Sequence, residues 1–141
     1  MPKHRVLLAD TDKALLASYR DCLSRNGFLV ATATSGLECV AQLRKFAPEL
    51  VVLNPDIPWG SGDGVLACMH EDADVPLVPV VVLADHYGDD NLYPVGVFPV
   101  RAYYSKPLPP SVLAESIRRL LKKQIARRSA RSVSGRTPSL T

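Results

Sequence analysis

Short runs of apolar residues alternate along the chain with longer amphipathic ones, and the two patterns have different periods. Val6–Ala9 is apolar and ends at Asp10, and Asp10-Thr11-Asp12 supplies helix-capping chemistry. From Lys13 to Asn26 the residues Leu15, Leu16, Tyr19, Cys22 and Leu23 recur at helical spacing, and Gly27 closes the segment. Phe28–Ala33 reads as a strand. Thr34 or Ser35 then caps a helix with Leu37, Val40, Ala41 and Leu43 along one face, and Pro48 follows its end. Leu50–Leu53 has no polar member, as suits a strand buried on both sides.

Asn54 to Gly64 is rich in Pro and Gly and reads as a rigid loop, with a short helix at Val65–His70 after it. Val78–Leu83 is a second wholly apolar strand. Asp89–Tyr93 has room for a turn or two of helix between it and Pro94. Arg101–Tyr104 is a short strand ending at Ser105-Lys106-Pro107. Ser111 caps a last helix with Val112, Leu113, Ile117, Leu120 and Leu121 on one face, extendable to Ile125. Five strands alternating with helices predict βαβ units: an α/β, doubly wound, five-stranded parallel sheet with helices on both faces and a shortened or irregular fourth helix. Ligands of such a sheet bind beyond the carboxyl ends of the strands, near the switch in strand order. Asp10-Thr11, Asn54, Ala84 and Lys106 stand at those ends.

Composition narrows the picture. The chain has 141 residues, enough for one domain, with 47% hydrophobic and 22% charged residues. No apolar run is long enough to cross a bilayer, and the charged start shows no signal-peptide pattern. Cys22, Cys39 and Cys68 have no CxxC spacing, so neither a disulfide framework nor a zinc site is indicated, and a reduced, cytoplasmic protein is expected. The net charge of +3 hides a split. Residues 1–117 hold nine Lys and Arg and all fourteen Asp and Glu, whereas residues 118–141 hold eight cations and no acid. Those cations are Arg118, Arg119, Lys122, Lys123, Arg127, Arg128, Arg131 and Arg136. The division expected is a domain over 1–121 and a basic, disordered tail over 122–141.

The intervals between these strand-end residues resemble the receiver domain of two-component response regulators, the CheY-like, flavodoxin-like (βα)5 fold, over about residues 4–121. In that family an acidic pair follows the first strand and a phosphoacceptor Asp ends the third, with Pro four residues on. A hydroxyl residue ends the fourth strand, and an aromatic in the fifth is followed by Lys-Pro. Here Asp10 matches the first acid, Thr11 stands at the second, and Asn54 holds the acceptor position with Pro58 four residues later. Ala84 stands at the hydroxyl position, 30 residues past Asn54, and Lys106-Pro107 lies 52 residues past it. Tyr103 takes the place of the switch aromatic.

What the resemblance implies is a degenerate, or pseudo-, receiver. Phosphoryl transfer in the family needs a carboxylate nucleophile, Mg²⁺ held by acids, and a Lys ammonium on a phosphoryl oxygen. An amide is a poor nucleophile. With Asp10 alone remaining of three pocket carboxylates, Mg²⁺ binding is expected to be weak or absent, and Asp10 and Asp56 are the residual metal candidates. Deamidation of Asn54 is blocked because Pro55 has no N–H to attack with. Asp10 and Lys106 can equally persist as an ion pair joining the first strand to the last. Trp59 is a candidate partner contact or a lid over the Gly-rich turn. The function expected is a phosphorylation-independent, non-enzymatic interaction module in phosphorelay signalling, binding a sensor kinase, another regulator or a second copy of the chain. The alternative is nucleic-acid or polyanion binding through the eight tail cations. A flavodoxin-like nucleotide binder is disfavoured, because no GxGxxG or P-loop follows the first strand.

Overall fold

The protein is described by a computed structural model over residues 3–86 and 98–136, with side chains of the last helix described through Arg127 and at Ala130. The elements are β1 (Arg5–Ala9), α1 (Lys13–Arg25), β2 (Leu29–Ala33), α2 (Gly36–Phe46), β3 (Leu50–Leu53), α3 (Ser61–Glu71), β4 (Val80–Ala84), β5 (Val100–Ser105) and α4 (Pro110–Arg136). The five strands form one sheet in the order β2-β1-β3-β4-β5, every pair parallel. This is the doubly wound parallel architecture that the alternation of patterns predicts, and it agrees with the CheY-like fold that the resemblance implies. The short fourth helix expected at Asp89–Tyr93 lies outside the described residues.

Burial follows strand position. β3 and β4 are buried at every residue, whereas the edge strands β2 and β5 are mostly half-buried. Alternate strand residues feed two cores. Leu7, Val51, Leu53 and Val82 pack with Cys39 and Leu43 of α2 and Val65 and Met69 of α3. Leu8, Val52, Val81 and Leu83 pack with Leu16 and Leu23 of α1 and Leu113 and Ile117 of α4. Each buried Leu or Ile contributes about 2 kcal/mol.

Caps fix where the helices begin. The Asp12 carboxylate accepts from Leu15 N at 3.0 Å, and Ser35 Oγ accepts from Glu38 N at 3.1 Å. Gly27 ends α1 at φ +89°, a conformation that an L side chain resists. α2 buries Gly36, Cys39 and Leu43, while Leu37 is exposed, so the apolar face is rotated from the one the sequence suggests. Val112 of α4 is likewise exposed, and the buried stripe there is Leu113, Ala114, Ile117 and Leu121. α3 begins at Ser61, not Val65, because Gly62 is buried within the first turn and is packing rather than punctuating.

The largest departure is α4. It runs to Arg136, so the span 122–136 is helical where a disordered tail was expected. No Gly or Pro occurs from Ser111 to Ser134, and Lys, Arg, Ala, Leu and Gln are strong helix formers. Among the described residues no helix is long and apolar enough to cross a membrane.

Candidate functional site

β1 and β3 lie side by side at the point where the strand order reverses, and their carboxyl ends place Asp10 and Asn54 together. Both side chains are buried, each residue only 3% exposed. Their backbones are tied to neighbouring strands: Asp10 N donates to Ala33 O at 3.0 Å and Asn54 N to Ala9 O at 2.9 Å. Lys106 follows β5, and its N–H donates to Ala84 O at 2.9 Å. The hydroxyl of Tyr19 on α1 donates to Leu108 O at 2.7 Å and pins the loop that carries Lys106. Burial pushes the Tyr19 phenol up, so it remains a donor at neutral pH.

Within this crevice Lys106 Nζ is 2.8 Å from Asp10 Oδ2 and 2.7 Å from Asp85 Oδ1. The Asn54 amide repeats the same bridge, its Nδ2 donating to Asp10 Oδ2 at 3.3 Å and to Asp85 Oδ1 at 3.2 Å. Its Oδ1 accepts from Asp56 N at 2.9 Å. That network fixes which way the amide points, since the flipped form would set an oxygen against two carboxylates. The other oxygen of Asp10 accepts from Asp12 N at 2.9 Å.

Asp85 is the residue that sequence reasoning missed, and it corrects the expectation of a single pocket carboxylate. It directly follows Ala84, at a position that has no assigned role in the strand-end pattern. The signal available was its place one residue beyond the end of β4. The hydrogen bond from Lys106, aided by the Lys106 charge and the Asn54 amide, holds the Asp85 carboxyl below its usual range against a partial opposing effect of burial. Burial pulls the Lys106 ammonium down, yet its bonds to Asp10 and Asp85 outweigh this and leave it above its usual value.

The donor set does not fit Mg²⁺. The Asp10 oxygens already accept from an ammonium, an amide N–H and a backbone N–H. Asn54 turns its donor face toward the carboxylates, and Thr11 supplies no charge. An ammonium stands between the two acids, where a metal would need free anionic oxygens. Asp56, the other residual metal candidate, is exposed and meets the pocket through its backbone N–H to Asn54. Asp12 is an N-cap. Among the described residues no three acids, histidines or cysteines gather as a metal cluster. Ala84, at the end of β4, is buried and offers no hydroxyl.

Tyr103 and Tyr104 point to opposite cores, and both are half-buried. Tyr104 Oη donates to Ser116 Oγ at 2.8 Å and fastens β5 to α4. Trp59 stands 73% exposed beside the crevice. Its loop is strained and pinned: Trp59, Gly60 and Ser61 all have positive φ, at 61°, 105° and 56°. Gly36 N donates to Pro58 O at 2.7 Å, and a Cβ on Gly36 would lie 2.1 Å from Trp59 O. Only glycine lets the loop rest on α2 so closely. Trp59 therefore projects from a pinned loop into solvent. The cations Arg118, Arg119, Lys122, Lys123 and Arg127 lie on α4, far along the chain from this crevice.

An open parallel sheet with an acid, an amide and a lysine converging at its switch point is a doubly wound α/β domain with a strand-end site. Residues 6–118 match the response regulator receiver domain, and the chain belongs to that family of two-component signalling proteins. It is 28% identical over 121 residues to the "Probable transcriptional regulator ycf27" of Guillardia theta, covering 86% of this chain and 46% of that protein. With the alginate biosynthesis transcriptional regulatory protein AlgB of Pseudomonas aeruginosa it shares 32% identity over 109 residues, 77% of this chain and 24% of that one. The chain thus spans half or less of these relatives' length. Among solved structures, the CheY-like receiver domain protein of Methanospirillum hungatei superposes with a TM-score of 0.76 at 25% identity, covering 89% of this chain and 99% of the other. The chemotaxis response regulator CheY4 of Vibrio cholerae gives 0.73 at 18% identity, covering 84% and 98%, a likeness of fold.

Proposed function

We propose that this receiver domain is a pseudo-receiver, a protein-interaction module that works without accepting a phosphoryl group. The observation that carries the reading is the double bridge: Lys106 and the Asn54 amide each join Asp10 to Asp85. In a phosphorylatable pocket the lysine must be available to a phosphoryl oxygen and a carboxylate must attack phosphorus. Here the lysine is engaged twice and the attacking position holds an amide. Among the described residues no buried side-chain nitrogen or oxygen lacks a partner, so the pocket is satisfied without a ligand. The partner is a sensor kinase, another regulator or a second copy of the chain, and the rigidly presented Trp59 is the aromatic anchor we assign to such a contact.

Intact mass after incubation with acetyl phosphate and Mg²⁺, with Trp59 fluorescence followed in the same sample, tests this. The natural chain gains no mass, whereas Asn54→Asp/Thr11→Asp gains one phosphoryl group. An adduct on the natural chain would overturn the reading and make Asp85, Asp10, Asp12 or Asp56 the acceptor to locate.

A second reading has its own support. The cationic segment is helical to Arg136, and the curated relatives are named as transcriptional regulators. If polyanion binding is the function, removing residues 122–141 abolishes it and leaves protein partners bound.

A further inference from the structure

β5 is one residue longer than the strand it pairs with. The register steps from Val80↔Val100 to Val81↔Ala102, so Arg101 is the extra residue of a β-bulge. Bulges redirect a side chain out of the alternation of the strand, and here the redirected side chain is an arginine. It lines a cleft of about 170 Å³ with Pro79 and with Leu120, Lys123, Gln124 and Arg127 of α4. The four α4 residues fall at helical spacing and form one stripe facing the strand.

Three cations therefore converge at the amino-terminal edge of the sheet, the end opposite the Lys106 crevice. Among the described residues no carboxylate pairs with Arg101, Lys123 or Arg127. At that edge Glu49 is taken by His4 at 2.8 Å and Arg5 at 3.8 Å, and Asp72 by Arg44 at 2.7 Å. Arg101 rests over the Phe98 ring at 4.6 Å, a contact that holds its guanidinium in place. Burial and the like charge of Arg127 both act against its charged form. Long basic side chains normally extend into water. Here one is re-aimed by a bulge, stacked on a ring and set beside a second cation.

We propose that this cleft is an anion-binding site for phosphate groups. Its volume is below the roughly 300 Å³ at which drug-sized ligand pockets begin, so it suits a compact oxyanion and not a whole nucleotide. Arg101 supplies a planar fork for two phosphate oxygens, Lys123 and Arg127 add charge, and the Gln124 amide adds a neutral donor. The phosphate can be free or part of a polynucleotide backbone running along α4. This inference is independent of the chemistry at Asn54.

The test is calorimetric titration of the full chain with inorganic pyrophosphate at low salt. Saturable binding is expected, weakened at least about tenfold by Arg101→Gln and similarly by Lys123→Gln, which lies on an exposed helix face and keeps the fold. Arg25→Gln, which removes an equal charge from the end of α1, leaves the affinity unchanged. A short DNA duplex that displaces pyrophosphate identifies a polynucleotide as the source of the phosphate; failure to displace it identifies a small anion. Absence of saturable binding, or equal weakening by Arg25→Gln, would overturn the proposal.

Discussion

Two cationic groups mark the two ends of β5, and they are kept in opposite ways. Lys106, just past its carboxyl end, is half-enclosed with a carboxylate on either side. Arg101, near its amino end, faces two further cations and a ring. The first end has drawn its counter-charges from the chain itself, so its geometry is complete before any ligand arrives. The second has not, and its charges are directed at a space. A family site with the right spacing can thus be a structural joint, while a strand edge with no motif carries the charge pattern of a binding site.

The comparison breaks most readily at Lys106. Lys106→Met leaves two carboxylates facing one another, one of them buried, and is expected to cost about 3 kcal/mol in urea unfolding. A loss below about 1 kcal/mol would show that the carboxyl end of the sheet is not held by the Lys106 bridge. Gly36→Ala forces the Pro58–Trp59 carbonyls off α2 and is expected to cost about 2 kcal/mol, with a shift in Trp59 emission. Tyr19→Phe frees the Leu108 carbonyl and is expected to cost about 1 kcal/mol.

Acidity sharpens the contrast. Asp85 has its folded value depressed, so its contribution is present above its ordinary carboxylate range and is lost as pH falls through the lower, folded value. Lys106 has its folded value raised, so its contribution is present at neutral pH and is lost only as pH rises through that higher value. Asp85→Asn should therefore lower stability at neutral pH, where that contribution is present, and flatten the acid limb, with little effect below the folded value. The smallest effect belongs to the Arg101 end. Arg101→Met removes a cation that repels Arg127, and stability is expected to hold or rise by up to about 0.5 kcal/mol in low salt.

Strand content and order of elements were legible because wholly apolar runs such as Leu50–Leu53 can only be central strands. Asp10, Asn54 and Lys106 were legible too, because strand ends converge in this architecture. Asp85 was not, since its direction depends on the path of the chain after β4 and not on any periodicity. The cleft was hidden for a related reason: a bulge is a difference in length between two strands, invisible until both are paired. The extent of α4 was obscured by charge, which reads as solvated tail even where Lys, Arg, Ala and Gln favour helix. Leu37 and Val112 misled because two adjacent helix positions compete for one buried face and only packing decides between them.

The bulge has a consequence for chain length. β5 uses six residues against five in β4, with the surplus at Arg101 and the pairing from Ala102 to Ser105 already regular. Loss of a single residue from a strand normally turns every later side chain to the wrong face. Here deletion of Arg101 would do the reverse, restoring an unbroken register with Val100 beside Ala102 and leaving Lys106 where it stands. The position is a natural seam, where one codon could be gained or lost without disturbing the other end of the domain.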